Sequence, residues 1–247
     1  MKKTLIVLMT LVFVLPLSAC SVSNPRYQNI DQEKLIKKNS QAWEKKILGM
    51  QVVESDEHGD SRGHIVSSMT ELKKYSKSVI QGRIINFEKM NNTKNVAYTK
   101  ATVHIDDVIS GDKKLKGQDI QMALNSGITS TTKWYADKNQ TREVAHDILV
   151  QYDEFPLPKI GAKLIVGIDP TDENEPSPYN MALKRSKFDY GKSYVAIMPK
   201  YNFWIKDAND EKYRLNNPKA NEDLKNNVEM GQGLNKLTET LNQRYNK

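Results

Sequence analysis

The chain of 247 residues contains one cysteine, Cys20, which limits the ways in which its fold can be stabilised. Cys20 follows two lysines, Lys2 and Lys3, and an uncharged apolar run at residues 5–17. A positive end, an apolar centre and small residues before a processing site are typical of a secretory signal that is later removed. Exported proteins often depend on disulfides, but a single cysteine cannot form one within the chain. The sequence therefore predicts a fold that is stabilised by its hydrophobic core alone.

The signal ends in Leu17-Ser18-Ala19-Cys20, which resembles the lipobox of bacterial lipoproteins. The resemblance implies cleavage between Ala19 and Cys20, so that residues 1–19 are a signal peptide, and attachment of a diacylglycerol to the Cys20 thiol. As a helix the apolar run would rise only about 20 Å, against a hydrocarbon core of roughly 30 Å, which disfavours a membrane span. Residues 20–30 would then be the lipidated cysteine and a tether. We expect the protein to be held on the extracytoplasmic face of a bacterial cell membrane by this lipid.

Composition and charge are consistent with one folded domain at residues 31–247. Hydrophobic residues make up 38% of the chain, which is enough for a packed core. Removing Lys2 and Lys3 lowers the formal net charge from +7 to +5, and the remaining basic residues are scattered in pairs such as Lys37-Lys38. Such a balance favours solubility and weak attraction to anionic surfaces. We therefore expect a protein or envelope-polymer partner in addition to the membrane, and no nucleic acid.

The hydrophobic pattern predicts a mainly β, α+β domain. Asp31 can cap an N-terminal helix over about 32–48, and Asn217 can cap a C-terminal helix over about 218–245, in which Gly231 and Gly233 favour a break or a kink. Short alternating runs bounded by turn residues predict strands between these helices. The strands are expected at 78–88, 96–109, 118–124, 144–152, 163–168, 179–185, 192–198 and 201–206. Closing such strands into a ring removes their edges, so we expect an antiparallel, OB-like small barrel.

One stretch of this pattern resembles a known type of module. Ser68-Met69-Thr70-Glu71 has the form of a capping box and predicts a short helix to about Tyr75. Val-Ile-Gln-Gly-Arg-Ile at 79–84, the long strand that ends in Ser-Gly-Asp at 110–112, and Leu-Lys-Gly-Gln-Asp-Ile at 115–120 follow it. Together these segments, over about 68–127, resemble a β-rich module of uncharacterised surface lipoproteins of Gram-positive bacteria. The resemblance implies no catalytic residues.

Metal and catalytic motifs are missing from the sequence. The histidines, His58, His64, His104 and His146, do not have the spacing of a zinc site, although His104 and His146 are both predicted on strands. The acidic segment 169–178 does not have the glycine and glutamate positions of an EF-hand loop. There is no nucleophile elbow, phosphate-binding loop or dinucleotide fingerprint. We expect no metal, no cofactor and no recognisable catalytic residue.

The aromatic stretch at 194–205 suggests a surface for a ligand or partner. On a strand at 201–206, Asn202, Trp204 and Lys206 would face one side, opposite Tyr201 and Phe203. A tryptophan beside amide and ammonium groups suits stacking on a sugar or contact with a protein. Trp134 and Tyr135, in a Thr-rich segment, would extend this surface. The alternative is that Trp204 packs in the core beneath the C-terminal helix.

Three functions are compatible with these features. The first is a membrane-anchored, non-enzymatic binding or interaction module at the cell envelope. The second is a hydrolase of envelope polymers with an unrecognised site. The third assigns the function to the released signal peptide, because Leu8 to Val14 resembles the apolar heptapeptide mating pheromones of some Gram-positive cocci.

Overall fold

The computed structural model describes residues 25–56, 64–137 and 144–246, with 33% helix and 32% strand. Ala19, Cys20, His58 and the peptide from Leu8 to Val14 lie outside these residues, so the expectations about them stay predictions. In the described ranges the strands are β1 Val52–Ser55, β2 Ser78–Lys89, β3 Tyr98–Ser110, β4 Asp119–Asn125, β5 Gly127–Ser130, β6 Asp147–Tyr152, β7 Lys163–Pro170, β8 Ser193–Ala196, β9 Phe203–Lys206 and β10 Arg214–Leu215. The helices are α1 Pro25–Ile47, α2 Met69–Lys74, α3 Thr131–Trp134, α4 Pro178–Arg185, α5 Pro199–Asn202, α6 Ala220–Asp223 and α7 Val228–Tyr245.

Five of the strands close into a barrel. Their order around the ring is β7-β2-β3-β4-β8, and β8 returns to pair with β7. Neighbours are antiparallel except β4 and β8, which are parallel. If the five barrel strands are numbered by their order in the chain, their order around the ring is 1-2-3-5-4-1. This is the five-stranded ring of the OB fold. The expected class, an α+β chain with an OB-like barrel between terminal helices, is confirmed.

Alternation along the strands fills the barrel interior. On β3, Ala101, Val103 and Ile105 are buried and pack with residues of β2, β4 and β7, while Thr102 and His104 face outward. Gly82 on β2 lies where a Cβ would come within 2.5 Å of the His104 carbonyl oxygen. This close approach coincides with a register shift between the two strands.

A small second sheet lies beside the barrel, and two of its strands, β5 and β6, are inserted between β4 and β7, the third and fourth barrel strands. Its order is β1-β6-β5, with β1 parallel to β6 and β5 antiparallel to it. β1 follows α1 and is a strand that the sequence pattern does not predict. Beyond the barrel, β9 pairs with the start of β7, and β10 pairs with β9.

The terminal helices begin and end at different residues from those predicted. α1 begins at Pro25, so residues 25–30 of the expected tether are helical and Asp31 is an internal residue, not the cap. The C-terminal segment forms two helices, α6 and α7, and Asn227 caps α7. Gly231 and Gly233 lie within α7, so they do not cause the break. Gly233 instead allows close packing, since a Cβ there would be 2.6 Å from Ser67 Cβ.

The segment predicted as a strand at 179–185 is helix α4. Ser177 Oγ accepts a hydrogen bond from Asn180 N, and Pro178 is the first helical residue, which together begin a helix. The connection that contains α4, residues 171–192, folds against the outer face of β3. Tyr98 meets Tyr179 edge to face at 5.5 Å, and the Lys100 ammonium lies 5.0 Å above the Phe188 ring. The start of this outer face is thereby covered.

Candidate ligand-binding pocket

The aromatic surface expected around Trp204 is not formed. Trp204 is 0% exposed and packs beneath α7, where its Nε1–H donates to Thr238 Oγ1 at 2.8 Å. Asn202 is also fully buried, while Lys206 Nζ donates to Asn246 Oδ1. The expected outward orientation of Trp204 and Asn202 is therefore wrong. The alternative, in which Trp204 packs beneath the C-terminal helix, matches the structure.

The reason is that β9 has protein on both sides. Phe203 and Ile205 face the barrel interior, and Trp204 faces the second core that α7 completes with Leu234 and Leu237. The strand also begins at Phe203, because residues 199–202 form the short helix α5.

Trp134 and Tyr135 belong to a different part of the molecule. Trp134 is 1% exposed and packs edge to face on Tyr152 at 6.2 Å, beneath the small sheet. Tyr135 is half-buried against the same cluster. The expectation that this segment is an exposed continuation of the Trp204 surface is wrong.

The three described histidines, His64, His104 and His146, do not converge. His104 Nδ1 lies 2.7 Å from Asp119 Oδ1 on the barrel surface, whereas His146 contacts the Val144 carbonyl oxygen and Gln51 beside the small sheet. Within residues 25–56, 64–137 and 144–246, no group of three or more histidine, cysteine or acidic side chains is placed to hold a metal ion.

A partly buried ion network lies where α5 and α6 meet. Lys200 pairs with Glu154 and, at 3.4 Å, with Asp223, which also accepts a hydrogen bond from Tyr201. Burial disfavours the charged ammonium, but the hydrogen bond to Glu154 and the nearby negative charges outweigh it and raise the pKa of Lys200. A lysine that stays protonated is a poor general base. The network therefore fits a structural role better than a catalytic one.

A cavity lined mainly by polar residues lies where β2 ends beside the small sheet. Its volume is about 290 Å³, at the lower limit for small-molecule sites, so a single charged or polar group fits it better than a large ligand. Residues from the end of β2, from β5, from α3 and from the start of β6 line it. They are Lys89, Met90, Asn91, Asn92, Thr129, Ser130, Lys133 and Asp147. We call this cavity the Lys89–Lys133 pocket.

Positive charge dominates the Lys89–Lys133 pocket. Lys89 pairs with Asp147, the one acidic side chain of the lining, while Lys133 Nζ donates only to the neutral Asn91 Oδ1 at 2.8 Å among its hydrogen bonds to described residues. Burial lowers the pKa of Lys133, and the nearby charges of Arg185 and Lys89 lower it further. The ammonium groups thus repel one another more than Asp147 compensates, which is the electrostatic condition for binding an anion.

One hydroxyl among the lining residues is enclosed. Thr129 is 2% exposed, and its Oγ1 makes no hydrogen bond to any described residue. This oxygen has essentially no surface accessible to solvent, so it lies within the wall of the pocket and does not open onto the cavity. Asn92, by contrast, is fully used: it bonds both backbone groups of Tyr98 and the Ile128 carbonyl. It fixes one wall of the pocket.

The position of the pocket matters for an OB-like barrel. Such barrels bind ligands on the outer face of their second and third strands and with the loops that follow strands 1 and 4. Here the loop after β2 supplies Asn91 and Asn92 to the lining, and the connection after β7 places Ser186 beside them, where its Oγ accepts a hydrogen bond from Asn91 N at 2.9 Å. Residues 171–192 cover part of the outer face, and Asn91, at the junction of the two connections, is exposed.

Sequence reasoning missed this pocket. Lys89, Lys133 and Arg185 are far apart in the chain, and only the fold brings them together. The sequence does place Lys89 next to the Asn91-Asn92 turn, where polar groups commonly collect at a strand end. No pattern within the sequence connects that turn to Lys133.

Comparison with known proteins gives no further guidance. No family model matches the chain, and neither the curated proteins nor the solved structures include a significant match. Among the described residues, no helix has both the length and the apolar character needed to cross a membrane.

Proposed function

We propose that this protein is a non-enzymatic binding module, anchored by a lipid on Cys20 to the extracytoplasmic face of a bacterial membrane, which holds an anionic group in the Lys89–Lys133 pocket. The observation that carries the proposal is the convergence of Lys89 and Lys133 on one cavity, with Arg185 near enough to lower the pKa of Lys133 further. Ammonium donors suit a phosphate, sulfate or carboxylate group.

The surroundings narrow the class of ligand. The lining contains no aromatic side chain, so a neutral sugar would have no stacking surface there. Cell envelopes contain phosphate-bearing polymers and lipid headgroups, and OB-like barrels generally bind oligomeric ligands at this edge. We therefore favour one anionic group of an envelope polymer as the ligand. An oligomeric ligand is inferred by analogy with other OB-like folds, and the positive charge of the pocket independently supports an anionic one.

The experiment is a calorimetric titration of the protein with inorganic sulfate and phosphate at constant ionic strength. A hydrogen bond to a charged group contributes about 1.5–3 kcal/mol, so Lys133→Gln should weaken binding roughly 10- to 100-fold. Asp147→Asn should strengthen it, because the substitution releases Lys89 and removes the one carboxylate. Lys116→Gln is the matched control. Like Lys89, Lys116 pairs with an aspartate, Asp107, but this pair lies near the opposite end of β3.

The Asp147→Asn variant tests the sign of the charge that the pocket prefers. Weaker sulfate binding in this variant would contradict an anion site that Asp147 opposes, and equal sulfate binding by the wild type and Lys133→Gln would remove the pocket from the proposal. Sulfate keeps its charge at alkaline pH, whereas Lys133 loses its proton as the pH rises through its lowered pKa. As the pH is raised, sulfate affinity should therefore decrease before the pH reaches the value of about 10.4 at which an ordinary lysine titrates.

A further inference from the structure

Helix α1 has one face on the barrel and one face in water. Ile36 and Trp43 are buried against the barrel, where Trp43 meets Phe87 edge to face at 5.4 Å. Asn39, between them, donates to the Ile85 carbonyl oxygen at 2.8 Å. These three positions, spaced by three and four residues, define the packed side of the helix.

The opposite side of α1 is basic. Lys34, Lys38 and Lys45 are exposed and follow one another at intervals of four and seven residues, which correspond to one and two helical turns. Lys37 and Lys46 are exposed on the two flanks of the helix, and Lys37 lines a cleft between α1 and the barrel. We call Lys34, Lys38 and Lys45 the α1 lysine face.

Few negative charges offset this face. Glu33 pairs with Arg83 of the barrel, and Glu44 accepts a hydrogen bond from Ser40 Oγ at 2.9 Å, so both lie toward the flank of the helix. Asp31 is exposed and remains as the acidic group among the described residues near the N-terminal end of the face. The α1 lysine face keeps a clear positive excess.

Apolar side chains accompany the lysines. Leu35 is 43% exposed on α1, and Leu48, just past its end, is 82% exposed. Helices that lie at a bilayer surface commonly combine exposed leucines with lysines. The apolar side chains lie among the lipid headgroups, and the ammonium groups contact the headgroup charges.

The position of the helix in the chain points the same way. Pro25 is five residues from Cys20, and five extended residues span at most about 18 Å. Lys34 and Lys45 are about 17 Å apart along the helix axis. Since charges interact within a Debye length of about 8 Å at physiological salt, both reach a membrane only if α1 lies along its surface.

We propose that the α1 lysine face rests on the anionic headgroups of the bilayer, with α1 parallel to the membrane and the barrel on its outer side. The closeness of α1 to the membrane rests on the lipid anchor of the proposed function, whereas the charge of the face does not. The partner is a bilayer that contains anionic lipid, and each lysine near it strengthens contact roughly fivefold.

The test is lysine footprinting of the full-length protein mixed with vesicles of phosphatidylcholine alone or with phosphatidylglycerol. A water-soluble acylating reagent modifies exposed amines, and mass spectrometry reads each lysine separately. Lys34, Lys38 and Lys45 should be protected several-fold by the anionic vesicles, and about 1 M salt should remove the protection because the Debye length falls to about 3 Å. Lys113 and Lys114, on the barrel between β3 and β4, are the internal control and should not change.

A triple Lys34→Gln, Lys38→Gln, Lys45→Gln variant should also lose protection at Lys37 and Lys46. Equal modification on both vesicles, or equal protection of Lys113, would overturn the proposal. Protection by a soluble phosphate-bearing polymer added to neutral vesicles, without anionic lipid, would also overturn it, because the polymer would then be the partner.

The footprint can be separated from the function proposed above. Lys133→Gln should leave the footprint unchanged, so loss of sulfate binding and loss of α1 protection are independent results. Protein that does not sediment with neutral vesicles would refute the lipid anchor. Its lysine modification in that sample can still be compared with the modification on anionic vesicles, so the α1 lysine face is tested in either case.

Discussion

Truncation of Trp204 to alanine should destabilise the fold severely. Burying a tryptophan removes roughly 150–250 Å² from water, which at about 25 cal/mol per Å² corresponds to about 4–6 kcal/mol as an upper bound. Measured Trp→Ala changes in cores cost about 3–5 kcal/mol. Trp204 is completely buried, so we expect a loss in this range, which is a large part of the 5–15 kcal/mol typical of a domain.

Urea denaturation followed by far-ultraviolet circular dichroism measures this loss without using tryptophan fluorescence, which the substitution itself changes. Trp204→Phe is the second variant: it keeps a ring in the core but removes the Nε1–H bond to Thr238, and should cost less than Trp204→Ala. Tyr75→Ala, at an aromatic residue that is 39% exposed, should stay within about 1 kcal/mol of the wild type. A Trp204→Ala protein as stable as Tyr75→Ala would refute the burial of Trp204 beneath α7.

Two further predictions concern helix α7 and the anchor. Gly233→Ala should destabilise by about 1–3 kcal/mol, because its methyl group would collide with Ser67. Gly231→Ala would make only an ordinary van der Waals contact, 3.7 Å from Leu224 Cβ, and should be neutral or stabilising by up to about 1 kcal/mol; thermal unfolding of both variants compares them directly. Cys20→Ala should abolish incorporation of a labelled fatty acid and leave the signal peptide uncut by the lipoprotein peptidase, and label retained by this variant would remove the anchor.

Local patterns in the sequence determined most of the barrel. Alternation on β3 placed Val103 and Ile105 inside, since successive side chains of a strand point to opposite faces whatever the rest of the chain does. The Ser68 cap marked the start of α2, since its side chain satisfies the Glu71 amide within one turn. The sequence predicts many short strands and no disulfides, and closure of the sheet removes the edges of such strands. The structure contains this closed sheet.

Tertiary packing determines which strand faces are covered and which distant residues meet, and the alternation of residues along a strand does not encode either. A strand pattern states which residues share a face, but not whether a second layer covers that face, and α7 covers Trp204. The Lys89–Lys133 pocket depends on contacts between residues far apart in the chain, such as Asn91 with Lys133 and Lys89 with Asp147, which are 42 and 58 positions apart, and Arg185 of α4 is near enough to affect the pKa of Lys133. Periodicity carries no information about such long-range juxtaposition, because it is set by the order in which the strands pair around the ring.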